Sequence, residues 1–523
     1  MAWNGSLLCI ALTPPGESRF VITIAHVMEN LFSAFASTAA TNTASTGLYS
    51  ADREFTYPEI LAESIRTAQL LQAAGLKPGE RAALWLRNSP EFVFNLFGIF
   101  AADGVAVPIN SFLRPVEVAH VIRDSGAKIL VAEPDQKAEI IASGQLPEGV
   151  RVLSIDDLPY LQPTGAIPKP LRQNQDLAVL IYTSGTTGKP KGAMLTHANL
   201  LHNVASCRVM LEVNAPDRFV VLLPMFHSFM LTVGILLPLL TGASLICIKG
   251  LQSPRQIVEE IIRRHGTILP AMASIFRALA HLPTGLELAS LRLCVSGAGP
   301  LPGEILRAFN TRHPKIPLIE GYGLSEASPV VSVNPVKGPW HAGTIGVPIP
   351  GVEISIQDEH GTHLDTGIDG EICVRGGNVM TGYWNDEVKT AEALRNGWLL
   401  TGDIGHRRPD GWFVVTDRKK DMLKPNGINV YPREIEEVIY RFPGIKEAAV
   451  VGEPCEKRGE RAVAFVAVDD GHQFDENALL TYLKSHLADY KLPRRVIQLP
   501  ALPKNGTGKI AKPVLRESLS KGV

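Results

Sequence analysis

The densest chemistry in this 523-residue chain lies in the eleven residues from Tyr182 to Gly192, YTSGTTGKPKG. Glycine permits tight turns and close backbone approach, so amide N–H groups can face an anion. Thr183, Ser184, Thr186 and Thr187 add hydroxyl donors, and Lys189 and Lys191 add positive charge. The sum predicts a loop that grips phosphate. It is not a Walker A loop, which needs Lys-Ser/Thr after its last glycine; here Gly188-Lys189 runs into Pro190. The plain alternative is a polar surface loop. A second glycine-bearing loop, PKNGTGK, ends at Lys509 near the C-terminus. Such a loop can insert a long cation between two anions, although most loop lysines are simply solvated. His227, in LLPMFHSF, borders an apolar run and is either structural or a proton-handling group. The fourteen histidines show no metal-binding spacing such as HExxH.

These segments resemble the adenylate-forming superfamily, which contains acyl-CoA synthetases, the adenylation domains of peptide synthetases and beetle luciferases. YTSGTTGKPKG looks like its signature. SGAGPL (Ser296–Leu301), GYGLSEASP (Gly321–Pro329), GEICVRGGNVMTGYW, WLLTGD, DRKKDMLKPNGINVYPREIE and PKNGTGKI follow in the family's order. The resemblance runs from about Ile24 almost to the end and implies a reaction in two halves. A carboxylate attacks the α-phosphorus of ATP, giving acyl-AMP and pyrophosphate. A thiol then attacks the acyl carbon and releases AMP. The first step brings a carboxylate to a polyanion, so the site must neutralise charge and hold the two in line.

By that resemblance Thr183, Ser184, Gly185, Thr186, Thr187, Gly188 and Lys191 hold phosphates. Gly297, Ala298 and Gly299, with Glu320, Gly321, Tyr322 and Gly323, would form the adenine- and phosphate-binding segments. Tyr322 would lie against the adenine, and Ser325 would donate to the α-phosphate where most relatives use threonine. Glu326 would hold Mg²⁺, for which a carboxylate is the right hard ligand. Asp403 would accept the ribose hydroxyls, Arg418 would reach ribose or phosphate, and Lys424 would be a further cofactor-binding residue. Lys509 would catalyse adenylation, and His227 would stand at the acyl-pocket entrance. Lys420 would be the hinge on which a small domain swings, and Gly427 would line the thiol tunnel. Asn426 departs from the lysine of plant coumarate–CoA ligases, which bears on CoA binding.

Composition supports an ordinary folded chain. Apolar residues are 45% and charged residues 20%, with Lys plus Arg at 51 against Asp plus Glu at 52. Such a balance excludes general disorder and gives no bulk attraction to nucleic acid. Six scattered cysteines lack C-x-x-C pairs and read as reduced thiols of a cytoplasmic protein. Phe229 to Ile248 is twenty residues without charge, long enough to span a membrane. Pro238 and Thr241-Gly242 break it, so it reads as a buried helix followed by a buried strand. No transmembrane segment is expected.

The elements that must position these residues alternate. YPEILAESIRTAQLLQAAG has helical spacing and stops at Gly75; RAALWL, GVAVPIN and KILVAE read as strands. The fold class is α/β: a large domain of sheets packed with helices plus a β-barrel-like part, then a small mobile α+β domain. The expected boundaries are an N-terminal extension over 1–20, the large domain over 21–419 and the small one over 420–523.

The acid is expected to be a medium- or long-chain fatty acid, since Val330, Val331 and the small residues Gly297 to Gly299 suit an apolar chain; an aryl acid is the alternative. The thiol is expected to be CoA, or the phosphopantetheine of an acyl carrier protein. A P-loop NTPase, a non-catalytic nucleotide-binding protein and a luciferase-like oxygenase are competing classes. The sequence does not give the oligomeric state.

Overall fold

The computed structural model describes residues 30–157, 171–184, 190–249, 253–282, 287–425, 428–455, 459–505 and 508–520. The expected extension, Gly185, Thr186, Thr187, Gly188 and Gly427 lie outside them, as does the side chain of Ser184.

Two helices start where the sequence supplies caps. Thr56 and Glu59 form a reciprocal capping box ahead of Tyr57–Ala73, and the Ser89 hydroxyl accepts the Phe92 amide ahead of Pro90–Ala101. The second helix is covered all round apart from Glu91 at its start. Its Phe97 stacks on Phe35 of the first helix, Leu31–Thr41, with ring centroids 4.3 Å apart.

Among the described residues the strands form four sheets. One runs in the order 151–154, 129–132, 81–85, 105–108, 177–184 and 190–196; it is parallel except for the last pair, an antiparallel hairpin. The largest has nine strands, and its core consists of short, fully buried parallel strands including Ile268–Ala271 and Leu293–Ser296. Leu318–Gly323 pairs in parallel with Leu293–Ser296 on one side and antiparallel with Val330–Val333 on the other. The part expected to be barrel-like is a five-stranded antiparallel sheet containing Gly370–Gly376, Trp398–Arg407 and Phe413–Arg418.

The C-terminal sheet has three strands: Ile445–Cys455, Gly459–Val468 and Arg495–Gln498. Helices Pro432–Ile439 and Glu476–His486 contribute to one apolar cluster against it, and Leu515 of Lys512–Ser520 to another. The fold is thus mixed α/β, with a large N-terminal and a smaller C-terminal domain.

The uncharged run resolves into a π-helix at Met230–Leu236, a short α-helix at Leu237–Thr241 and a strand at Ser244–Cys247. All seven π-helical residues are buried, and Gly242 ends the α-helix at φ +83°. No helix among the described residues is long and apolar enough to cross a membrane. Cys207, Cys247, Cys294 and Cys373 are buried and free.

Candidate active site

The site gathers at the carboxyl ends of parallel strands, where α/β sheets commonly receive ligands. The strand Leu293–Ser296 ends in Gly297, Ala298 and Gly299. A Cβ on Gly297 would come within 2.9 Å of the Phe229 ring, so glycine lets the aromatic ring close on the backbone. Ala298 sits at φ +63°, a left-handed conformation that non-glycine residues rarely hold and that often marks a functional turn. Gly299 faces open space.

The next strand, Leu318–Gly323, carries Glu320, Gly321, Tyr322 and Gly323. A side chain on Gly323 would meet the Pro329 carbonyl oxygen at 2.0 Å, which explains glycine in that tight reversal. The Glu320 carboxylate accepts the Leu301 amide at 3.3 Å and faces Arg433 of the C-terminal domain at 3.8 Å. Burial dominates over that cation and raises its pKa to about 7.

Tyr322 turns its hydroxyl to Asp403, donating to Oδ2 at 2.7 Å. Burial first, then Asp403, push the phenol pKa up. Arg418 donates from Nε to Oδ1 of the same carboxylate at 3.0 Å. Asp403 and Arg418 are direct partners in the antiparallel sheet, so strand register builds the pair. Each Asp403 oxygen keeps a second lone pair for another donor.

Lys509, on the C-terminal loop, comes within electrostatic range of this cluster, with no ion pair to it among the described residues. Its pKa falls to about 8, mainly because its ammonium is desolvated and then because Arg418 repels it; Asp403 opposes that shift. The neighbouring candidate Lys504 is tied instead to Glu447 at 2.5 Å. The charge of Lys509 is also felt at His227, whose pKa drops to about 3, chiefly through burial. His227 is therefore neutral at pH 7. Its Nδ1 accepts the Phe229 amide at 3.3 Å, which leaves the proton on Nε2 as a donor.

Ser325 and Glu326 lie in a short 3₁₀ turn. The Ser325 and Ser228 hydroxyls are 2.9 Å apart, and Thr232 of the π-helix donates to the Ser328 carbonyl at 2.9 Å. The π-helix is thus fastened to the serine–glutamate turn, consistent with the frequent association of π-helical turns and functional sites. The Glu326 Oε1 accepts the Tyr383 hydroxyl at 2.9 Å, and the Lys191 ammonium lies 5.1 Å from the centre of the Tyr383 ring. Tyr383, Ser228 and Thr232 were invisible as site residues in the sequence; the TGYW and FHSF segments gave the only hint.

Among the described residues no three His, Cys, Asp or Glu side chains cluster as a metal site. A single carboxylate suits a cation that takes its other ligands from phosphates and water. Thr183 and Lys191 face each other across the hairpin 177–184/190–196, bracketing the loop residues outside the described set. Lys420 is exposed at the turn after Arg418, its pKa lowered by desolvation and then by Arg418. Lys424 points to solvent, and its amide donates to Glu460. Lys420 feels the charges of Arg418 and Asp403 without pairing to either, whereas Lys424 makes no described interaction with the Asp403 cluster.

The family described as AMP-binding enzyme matches residues 34–384, and the AMP-binding enzyme C-terminal domain matches 434–509. The chain is 35% identical over 469 residues to a feruloyl-CoA synthase from Amycolatopsis sp, covering 88% of this chain and 93% of that protein. It is 33% identical over 508 residues to a long-chain-fatty-acid–CoA ligase from Bacillus subtilis (strain 168), covering 89% and 90%. The crystal structure of the anthranilate CoA ligase AuaEII in complex with anthranoyl-AMP superposes with a TM-score of 0.89 at 27% identity, covering 94% of this chain and 98% of that one. The chain belongs to the AMP-binding enzymes of the adenylate-forming superfamily and is an acid–CoA ligase that works through an acyl-adenylate.

Proposed function

We propose that this ligase activates a medium- or long-chain fatty acid and passes it to CoA. The observation that carries the reading is the approach of the Lys509 loop of the C-terminal domain, with Gly508 packed on Met272, to within electrostatic range of the Asp403–Arg418 pair of the large domain. A carboxylate oxygen of the acid bonds to the α-phosphorus of ATP, the α–β bridging P–O bond breaks, and pyrophosphate leaves. Lys509 offsets the negative charge that accumulates as the two anions meet. Asp403 orients the ribose, and Tyr322 and Arg418 hold Asp403 in place. His227, neutral with its Nε2 proton free, donates to the acid's carboxylate rather than acting as a cation. The CoA sulfur then bonds to the acyl carbon, and the bond to AMP breaks.

Magnesium, when bound beside Glu326, would neutralise phosphate charge. Gly427 and Lys424 would meet CoA after the small domain turns about Lys420. We place the hinge there, between a large domain ending near 419 and a small one from 420. The thiol is CoA, as in the ligases named above; nothing supports a carrier protein. Free, buried thiols fit a reducing compartment, the cytoplasm.

The fatty-acid reading rests on the uncharged, buried residues around the serine–glutamate turn, Phe229 to Leu236, Ala327 and Val331, because a chain taken in among apolar groups gains about 0.8 kcal/mol per methylene. An aryl acid is a second reading. The Phe229 ring lying on Gly297 offers a flat partner for an aromatic ring. Mass spectrometry of one incubation with ATP, Mg²⁺, CoA and mixed fatty and aryl acids tests both. Fatty acyl-CoA with AMP supports the first, and aryl-CoA alone overturns it in favour of the second. ADP in place of AMP would refute the chemistry.

A further inference from the structure

The helix Ala273–Ala280 belongs to the large domain, yet it touches the C-terminal domain at two points. Met272, at its N-cap, lies under Gly508; a Cβ there would meet the Met272 methyl at 2.9 Å. Gly508 is the immediate neighbour of Lys509. Five residues on, Arg277 grips the C-terminal sheet. One guanidinium nitrogen donates to both Asp469 oxygens at 2.6 and 2.8 Å, and another donates to the Ile445 carbonyl at 3.0 Å. Ile445 and Val468 are paired across two neighbouring strands, and Asp469 directly follows. Arg277 therefore binds both strands at one end of the sheet. Five helical residues span about 7.5 Å, so the two supports are close together on one rigid element.

We propose that Arg277 is a positioning residue for adenylation: it docks the C-terminal domain so that the Lys509 loop rests on Met272 and the Lys509 cation meets the acid and α-phosphate. The role rests on the function proposed above. The guanidinium suits it because separate nitrogens serve the carboxylate and the carbonyl at once, which one ammonium does poorly. Of the other contacts between the domains, the Gly303 amide to Glu437 at 3.5 Å and Arg433 to Glu320 at 3.8 Å are longer. Arg433 also donates to the Val415 carbonyl at 3.0 Å and from its amide to Asp417 at 2.8 Å, but both acceptors lie beside the domain boundary itself. Arg277 touches no reacting atom in this account. It acts through the placement of Lys509, so it should matter for acyl-AMP formation and not for transfer of a preformed acyl-AMP to CoA.

The test measures both half-reactions in Arg277→Ala, Asp469→Asn and the charge swap Arg277→Asp/Asp469→Arg. Pyrophosphate release is followed with ATP, Mg²⁺ and a mixture of palmitic and ferulic acids. Thioester formation is followed with CoA and synthetic acyl-AMP of the acid that the wild type activates. Both single variants should lose about tenfold or more in pyrophosphate release while keeping wild-type thioester formation. The swap should recover most of that loss. Asp469 is half exposed, so its substitution leaves the fold intact. Equal loss in both half-reactions, unchanged pyrophosphate release, or a swap no better than the single variants would overturn the docking role. If the wild type itself releases no pyrophosphate with either acid, the proposed function fails and takes the docking role with it.

Discussion

The Tyr322 hydroxyl donates to Asp403 at 2.7 Å, joining two motifs that lie 81 residues apart. The tyrosine thus does more than offer a ring: it fixes one oxygen of the carboxylate that Arg418 fixes at the other. Tyr322→Phe keeps the ring and removes this bond. The KM for ATP should rise about tenfold, with kcat within about twofold, because a hydrogen bond to a charged group is worth about 1.5–3 kcal/mol. An unchanged KM in a pyrophosphate-release assay would show that the bond orients nothing.

Lys509 should give adenylation a basic limb. Its pKa is lowered to about 8, so its cation is present below that pH and lost as pH rises through it. Pyrophosphate release should therefore fall above about pH 8. Lys509→Arg keeps its charge there and should flatten the limb even if its maximal rate is lower. Identical limbs in both proteins would assign the titration to another group.

Glu320 should make stability fall with pH. Burial raises its pKa from 4.5 to about 7, so across that window the folded chain retains a proton that the unfolded chain has released. Each step up in pH there costs stability. Glu320→Gln removes the cost. Relative to the wild type it should gain about 1–3 kcal/mol on going from pH 5 to pH 8, at about 1.4 kcal/mol per pKa unit. Thermal unfolding at the two pH values checks this, and a pH-independent difference would contradict it.

In the proposed fatty-acid reading, Phe229, whose ring closes on Gly297, is expected to limit how far the acid's chain extends. Phe229→Ala removes that ring at a cost of about 3 kcal/mol in stability. The ratio of kcat/KM for palmitic over octanoic acid should rise several-fold, as about 0.8 kcal/mol per newly buried methylene implies. A general loss of activity at a fixed ratio would place the acid elsewhere.

Short contiguous motifs made much of the candidate site legible. Loops that hold nucleotides must use particular residues in order, and Asp403 and Arg418 were found through the WLLTGD and DRKKD motifs; that both sit in paired strands, Trp398–Arg407 and Phe413–Arg418, was not legible. The alternation of helix and strand likewise announced an α/β fold, because the helical spacing of YPEILAESIRTAQLLQAAG and the apolar runs RAALWL and KILVAE are local signals. The contacts between motifs were not legible. Nothing in SEA predicts that Ser325 meets Ser228, or that Glu326 takes the Tyr383 hydroxyl. The π-helix was hidden because a uniformly apolar run has no periodicity to betray the extra residue per turn. Arg277 was hidden for a different reason: it sits in no motif, and its partner Asp469 lies 192 residues away.

The central claim is that Lys509 serves the first half-reaction alone, and Lys509→Ala tests it most directly. Pyrophosphate release and acyl-CoA formation from supplied acyl-AMP would be measured on the same preparation. The account predicts that pyrophosphate release is lost, by about a thousandfold or more, while transfer from acyl-AMP to CoA continues near the wild-type rate. Pyrophosphate release at the wild-type rate would contradict it.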